Sequence, residues 1–136
     1  MHLDNMITQH KEIHESARKI QKCKSTAYVE IHAEDLTRNV AKLAGVLSSH
    51  LAAEDKYIYP ILMRSQDVAV RECAKRFADD MSDLFKDFNA YKSIYNTSEK
   101  IRNESHKFVA DTSIIIGALL NRLQKEDRKL YPLVKD

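Results

Sequence analysis

Two stretches of the chain carry ligand-type side chains at helical spacing. In HLAAEDKYIYP (50–60), His50 and Glu54 stand four residues apart, so on a helix both project from one face. In RLQKEDRKLYP (122–132), Glu126 falls at the place of Glu54, but Arg122 stands where the first stretch has its histidine. Upstream, QHKEIH (9–14) supplies His10 and His14, again four apart. A cluster of imidazoles and carboxylates suits a borderline divalent metal, with iron, manganese and zinc all acceptable on ligand type. H-x-x-x-E alone is common by chance; its weight comes from convergence with His10, His14 and Glu126.

Convergence requires elements that bring these positions to one height. Leu36, Val40, Leu43, Leu47, His50, Glu54, Tyr57 and Ile61 advance by alternating fours and threes, the track of one helix face. Phe108, Thr112, Ile115, Leu119, Arg122, Glu126, Lys129 and Leu133 trace the same stripe. Each is preceded by a further amphipathic segment, through Leu3, Met6, His10, Ile13, Ala17 and Ile20, and through Val70, Phe77, Met81, Leu84, Phe88 and Tyr91.

The chain also resembles itself. GVLSSHLAAEDKYIYP (45–60) and GALLNRLQKEDRKLYP (117–132), offset by 72, are identical at seven of sixteen positions, and the only two glycines and two prolines of the protein fall in register. Two copies of one helical hairpin are expected. Helices are predicted at about 3–27, 33–63, 67–94 and 99–130, with Asp67 and Ser98 as N-caps and Pro60 and Pro132 near two of the ends. Short connections make neighbours antiparallel, so the expected fold is all-α: one domain over 1–136, an antiparallel up-down-up-down four-helix bundle built from two repeated hairpins. If the first hairpin turns back near residue 30, position 10 faces position 50; with the second turning near 101, position 81 faces position 122. His10, His50, Glu54, Arg122 and Glu126 then share one layer mid-bundle, with His14 one turn away. Burying an unpaired polar group costs roughly 2–7 kcal/mol, so such a layer needs compensation.

Composition narrows the classes. Hydrophobic residues are 43% and charged ones 31%, ordinary for a folded chain of 136 residues. The 22 basic and 20 acidic side chains interleave, leaving no basic patch for nucleic acid. The longest apolar run, Ile114–Leu120, is too short to span a bilayer, and no charged-then-apolar leader opens the chain. A cytoplasmic address is expected, with Cys23 and Cys73 as free thiols.

With these residues in hand, the chain resembles the hemerythrin-like cation-binding domains over essentially its full length. That family consists of four-helix bundles of two hairpins that hold a non-haem di-iron centre, each hairpin giving a histidine from its first helix and H-x-x-x-E from its second. The resemblance implies that His10 and His50 are terminal ligands of one iron and that Glu54 and Glu126 are the bridging carboxylates. The second hairpin departs from the pattern, with Met81 and Arg122 at both histidine positions. A fixed guanidinium offers no lone pair, so the second iron site is expected to be lost. His14 could complete a mononuclear site with His10, His50 and Glu54, while Met81 and Arg122 remain candidates to face a cofactor.

The implied function is binding of one non-haem iron, for iron handling or for binding or sensing dioxygen or nitric oxide at an open coordination position. Two alternatives stand beside it: a metal-free polar cluster, tied together by Arg122, in a bundle that serves protein interaction; and a haem site using histidine and Met81. No nucleophile with an adjacent base indicates catalysis. Tyr57, Tyr59 and Tyr131 read as packing residues at the bundle end, and His2, His32 and His106 carry no site signal.

Overall fold

With only two glycines and two prolines, little in this chain interrupts a helix, and neither glycine takes a positive φ. The computed structural model describes residues 2–134, apart from the side chain of His2. It contains six α-helices: α1 (His2–Gln21), α2 (Thr26–Tyr57), α3 (Tyr59–Met63), α4 (Val68–Ile94), α5 (Ser98–Asn103) and α6 (Ser105–Lys125). A π-helical turn, Glu126–Leu130, and a 3-10 turn, Tyr131–Leu133, complete the described chain, in which no residue is in a strand.

Side-chain caps set the helix starts. Ser25 accepts from the Tyr28 N–H at 3.1 Å, Asp67 from the Ala69 N–H at 2.9 Å and Thr97 from the Lys100 N–H at 3.1 Å. Each bond satisfies one otherwise orphaned amide and stabilises its helix by about 1 kcal/mol. Asp67 is thus the cap expected, whereas Thr97 takes the role assigned to Ser98. The first helix ends earlier and the second begins earlier than the pattern predicts, because Ser25 starts a helix before the apolar stripe. That early segment meets the stripe at a kink: His32 leaves helical geometry at φ −108°, ψ 20°. Glu104, at φ −121°, ψ 38°, separates α5 from α6 in the same manner. Ser25 and Thr97, and likewise His32 and Glu104, are separated by the offset of 72 that aligns the two sequence stretches.

Packing follows the stripes. α1 lies against α2 and α6, and α4 against α6 and α2. The Tyr91 hydroxyl meets the Thr112 hydroxyl at 2.7 Å, the Tyr95 hydroxyl donates to Asp111 at 2.5 Å, and Arg122 pairs with Asp80 at 2.9 Å. These partners converge on the connection between α4 and α6, so the two helices run in opposite directions. Arg102 ties α5 to α2 through the Glu34 carboxylate and the Glu30 carbonyl.

Two apolar clusters result, each fully buried side chain contributing about 1.5–3 kcal/mol. The larger includes Ile13, Leu43, Leu47, Phe88, Phe108 and Leu119; the smaller includes Met6, Ile58, Leu62, Phe77 and Leu130. The polar residues lie in the chain between members of the two, His10 between Met6 and Ile13, His50 and Glu54 between Leu47 and Ile58, Glu126 between Leu123 and Leu130.

Beyond the glutamates the stripes slip by one residue. Ile58, Tyr59 and Leu62 are buried where the pattern predicts Tyr57 and Ile61, and Leu130, Tyr131 and Val134 where it predicts Lys129 and Leu133. Ile58 follows Glu54 by an ordinary α-helical step of four, whereas Leu130 lies in the π-helical turn and Tyr131 just past it; Pro60 and Pro132, which have no N–H, come after both slips.

A buried histidine and glutamate cluster

His10 projects from α1, His50 and Glu54 from α2, and Glu126 from the first position of the π-helical turn. All four are buried, and one ligand atom from each lies within 4.8 Å of those of the other three. His10 Nε2 is 3.2 Å from His50 Nε2 and 2.9 Å from Glu126 Oε1, while His50 Nε2 is 3.2 Å from Glu126 Oε1 and 3.4 Å from Glu54 Oε2. The far ring atoms are also engaged. His50 Nδ1 pairs with Gln9 Oε1 at 2.8 Å, which makes Nδ1 the donor, so that the neutral ring turns its Nε2 lone pair to the cluster. His10 Nδ1 lies 2.9 Å from the exposed Asp127 carboxylate, near enough for an ion pair but without the alignment of a hydrogen bond.

The electrostatics reflect crowding. Burial alone would lower the His50 pKa, but hydrogen bonds and charge from Glu126 and Glu54 outweigh it and lift the group to about 9. Burial, together with the charge of Glu126, raises Glu54 above the usual carboxylate range. Glu126 is pulled the other way: burial would raise it, and the bonds from His10 and His50 bring it below that range. Two carboxylates so close are pushed apart in their titration, as for any pair of like charges sharing a site.

A family model described as Hemerythrin HHE cation binding domain matches residues 1–134. The chain belongs to that hemerythrin family. No curated protein and no solved structure matches it. The family's description names a cation, and the cluster fits one on its own terms. Glu54 Oε1 and Glu126 Oε2 are buried without a hydrogen-bond partner, and such orphaned carboxylate oxygens are costly unless a positive charge meets them.

Other expected site residues fall elsewhere. His14 is only half-buried and outside the convergent group; it lines a surface groove with Leu120, Gln124 and Asp127, and partial burial and the neighbouring His10 lower its pKa. Met81 is buried, at the wall of an open cavity of about 300 Å³ that it shares with Tyr59, Ala78 and Phe85. Arg122 requires a correction. It was expected beside Glu54 and Glu126, but its guanidinium pairs with Asp80 at 2.9 Å and stacks 4.6 Å from the Phe77 ring centroid, with no hydrogen bond or ion pair to either glutamate. The reason lies in the side chain's reach: Arg122 is itself buried, and its guanidinium extends past Phe77 to the mostly exposed Asp80 on α4, which gives the buried charge a carboxylate partner at the protein surface.

Tyr131 is the residue the sequence reading missed. Expected to be packing, it instead puts its hydroxyl among the ligands, 2.8 Å from Glu54 Oε2 and 2.9 Å from His10 Nε2. The only signal was its place five residues after Glu126, a spacing shared by Tyr59 and Glu54. On an α-helix that spacing carries no common face.

Proposed function

We propose that this protein binds one non-haem iron per chain through His10, His50, Glu54 and Glu126, in a single domain folded as an antiparallel up-down-up-down four-helix bundle of two related hairpins. The observation that carries it is the meeting of four buried ligand atoms within 4.8 Å of one another, with two glutamate oxygens left unpaired beside them. Two imidazoles and two carboxylates are a mixed nitrogen and oxygen set that suits iron on ligand type. The shared offset of caps, kinks, glycines and prolines supports two copies of one unit. Met81 and Arg122 at the positions where the second hairpin would carry histidine support one metal in place of two.

The bound iron would supply a redox-active charge and an open coordination position, which is the basis for iron handling or for binding dioxygen or nitric oxide. This chain's residues set the conditions. Gln9 fixes the His50 tautomer, the two apolar clusters exclude bulk water, and the paired glutamates supply two negative charges that favour a cation over a neutral ligand. The near contact of His10 Nε2 and His50 Nε2, at 3.2 Å, favours a single ion over haem, since a porphyrin cannot enter between them. No helix among the described residues is long and apolar enough to cross a membrane. A cytoplasmic address is part of the same reading.

Metal analysis of the purified chain with an ultraviolet-visible spectrum tests the proposal. About one iron per chain, without a haem Soret band, is expected. A metal-free protein that takes up no iron, manganese or zinc would sink it, and two irons with oxo-bridged di-iron absorption would overturn the stoichiometry.

A further inference from the structure

Five heteroatoms, not four, crowd into the space between the helices. The Tyr131 hydroxyl oxygen is 2.9 Å from His10 Nε2, 3.4 Å from His50 Nε2, 2.8 Å from Glu54 Oε2 and 3.3 Å from Glu126 Oε1. It therefore touches every one of the other four. The five atoms make eight close contacts in all.

Hydrogen bonding cannot account for eight. With both glutamates ionised, the only hydrogens these atoms can carry are one on each histidine Nε2 and one on the tyrosine, and each serves one contact well. The Gln9 bond to His50 Nδ1 takes the hydrogen from His50 Nε2 unless the ring is doubly protonated. Even a proton added to Glu54 leaves half of the contacts unsatisfied. The spacing instead matches donors arranged around one ion. With metal–nitrogen and metal–oxygen distances of about 2.0–2.2 Å, neighbouring donors lie roughly 2.8–3.6 Å apart.

We propose that Tyr131 is a fifth ligand of the metal, its phenolic oxygen entering the coordination sphere with His10, His50, Glu54 and Glu126. The inference rests on the metal reading given above and extends it to a residue outside the histidine and carboxylate set. On coordination the O–H bond breaks as the oxygen–metal bond forms, and the proton is released to solvent, as metal binding to a protic ligand requires. A phenolate adds a third negative charge and favours a trivalent over a divalent ion. The backbone delivers it: in the π-helical turn the Tyr131 N–H bonds to the Glu126 carbonyl, five residues back, which carries residues 126 and 131 to the same face.

The test is optical. The full chain, Tyr131→Phe and Tyr59→Phe are each loaded with ferric iron, and the bound iron is counted. Wild type and Tyr59→Phe are expected to show a visible phenolate-to-ferric charge-transfer band with resonance-enhanced tyrosinate ring vibrations. Tyr131→Phe, which keeps the other four ligands, is expected to hold iron with complete loss of that band. Iron-loaded wild type without the band, or Tyr131→Phe that retains it, would overturn the fifth ligand while leaving the four-ligand site standing. A wild-type chain that takes up no iron would remove both. Should Tyr131→Phe fail to fold, the wild-type Raman spectrum decides whether a tyrosine coordinates, and Tyr59→Phe decides which: a band lost there overturns the assignment to Tyr131.

Discussion

Residues 54–60 read EDKYIYP and residues 126–132 read EDRKLYP, yet the backbone treats them differently. In the first, α2 stays α-helical to Tyr57, the Ile58 N–H closes on the Glu54 carbonyl, and α3 begins at once. In the second, the helix widens at Glu126 into a π turn that closes from Tyr131. The two tyrosines consequently part. Tyr59 is buried with its hydroxyl unpaired, and burial with the charges of both glutamates holds it un-ionised far above its usual range. Tyr131 is equally buried but bonds to Glu54 and reaches both histidines. One extra residue in a single helical turn separates a packing tyrosine from one in the site. The lesson is that near-identical local sequence can carry different chemistry when the turn that presents it differs. π turns of this kind recur at functional sites.

The largest expected effect lies in the four clustered residues, the glutamates both stretches share and the two histidines beside them. Glu54→Ala or Glu126→Ala, and equally His10→Ala or His50→Ala, should lower metal affinity by more than the roughly 10–100-fold typical of losing an outer-sphere partner. Metal counting after dialysis checks this, and any one variant that keeps full occupancy leaves the site. Next comes the difference at Met81 and Arg122. On the proposed one-iron reading, Met81→His with Arg122→His puts histidine at both positions where the family resemblance expects it and should raise bound iron from one towards two per chain. If content stays at one, the halves differ in more than those two ligands.

Stability separates the tyrosines in the metal-free protein. Tyr131→Phe removes a hydrogen bond to a carboxylate and should cost about 1.5–3 kcal/mol, whereas Tyr59→Phe removes an unpaired buried hydroxyl and should be neutral or stabilising by about 1 kcal/mol. A lower melting temperature for Tyr131→Phe, with none lost or a rise for Tyr59→Phe, is expected, and equal losses would erase the distinction. Arg122→Ala should cost less than a broken buried ion pair. Its partner Asp80 is exposed, so an ion pair of at most about 1 kcal/mol and a ring contact of about 0.5–1 kcal/mol are at stake. A loss of 3–5 kcal/mol, the range for a severed buried pair, would return Arg122 to the glutamates. The smallest effect concerns the paired caps: Ser25→Ala and Thr97→Ala should each lower stability by about 1 kcal/mol, and matched values would mark equivalent ends.

The sequence by itself determined the helices, because their apolar residues recur at 3.6-residue spacing with hardly a glycine or proline to break them. It also determined the family, and it offered His10, His14, His50, Glu54 and Glu126 as candidate ligands with Arg122 on the same stripe, since polar residues on apolar stripes stand out against the cost of burying them; the structure brings together His10, His50, Glu54 and Glu126. Cap positions were legible to within a residue at Asp67 and Thr97; the early start at Ser25 was not, because the segment before His32 lies off the stripe. Two outcomes were decided only by the tertiary structure. Arg122 shares a stripe with Glu126, but a long flexible side chain can choose its partner, and it extends past Phe77 to Asp80 on a neighbouring helix, a carboxylate that lies on no apolar stripe. Tyr131 entered the cluster and Tyr59 did not, although both sit five residues after a glutamate and one before a proline. Periodicity assumes a fixed helical pitch, and the π-helical turn at Glu126–Leu130 departs from it, which moves every residue beyond it to a different face.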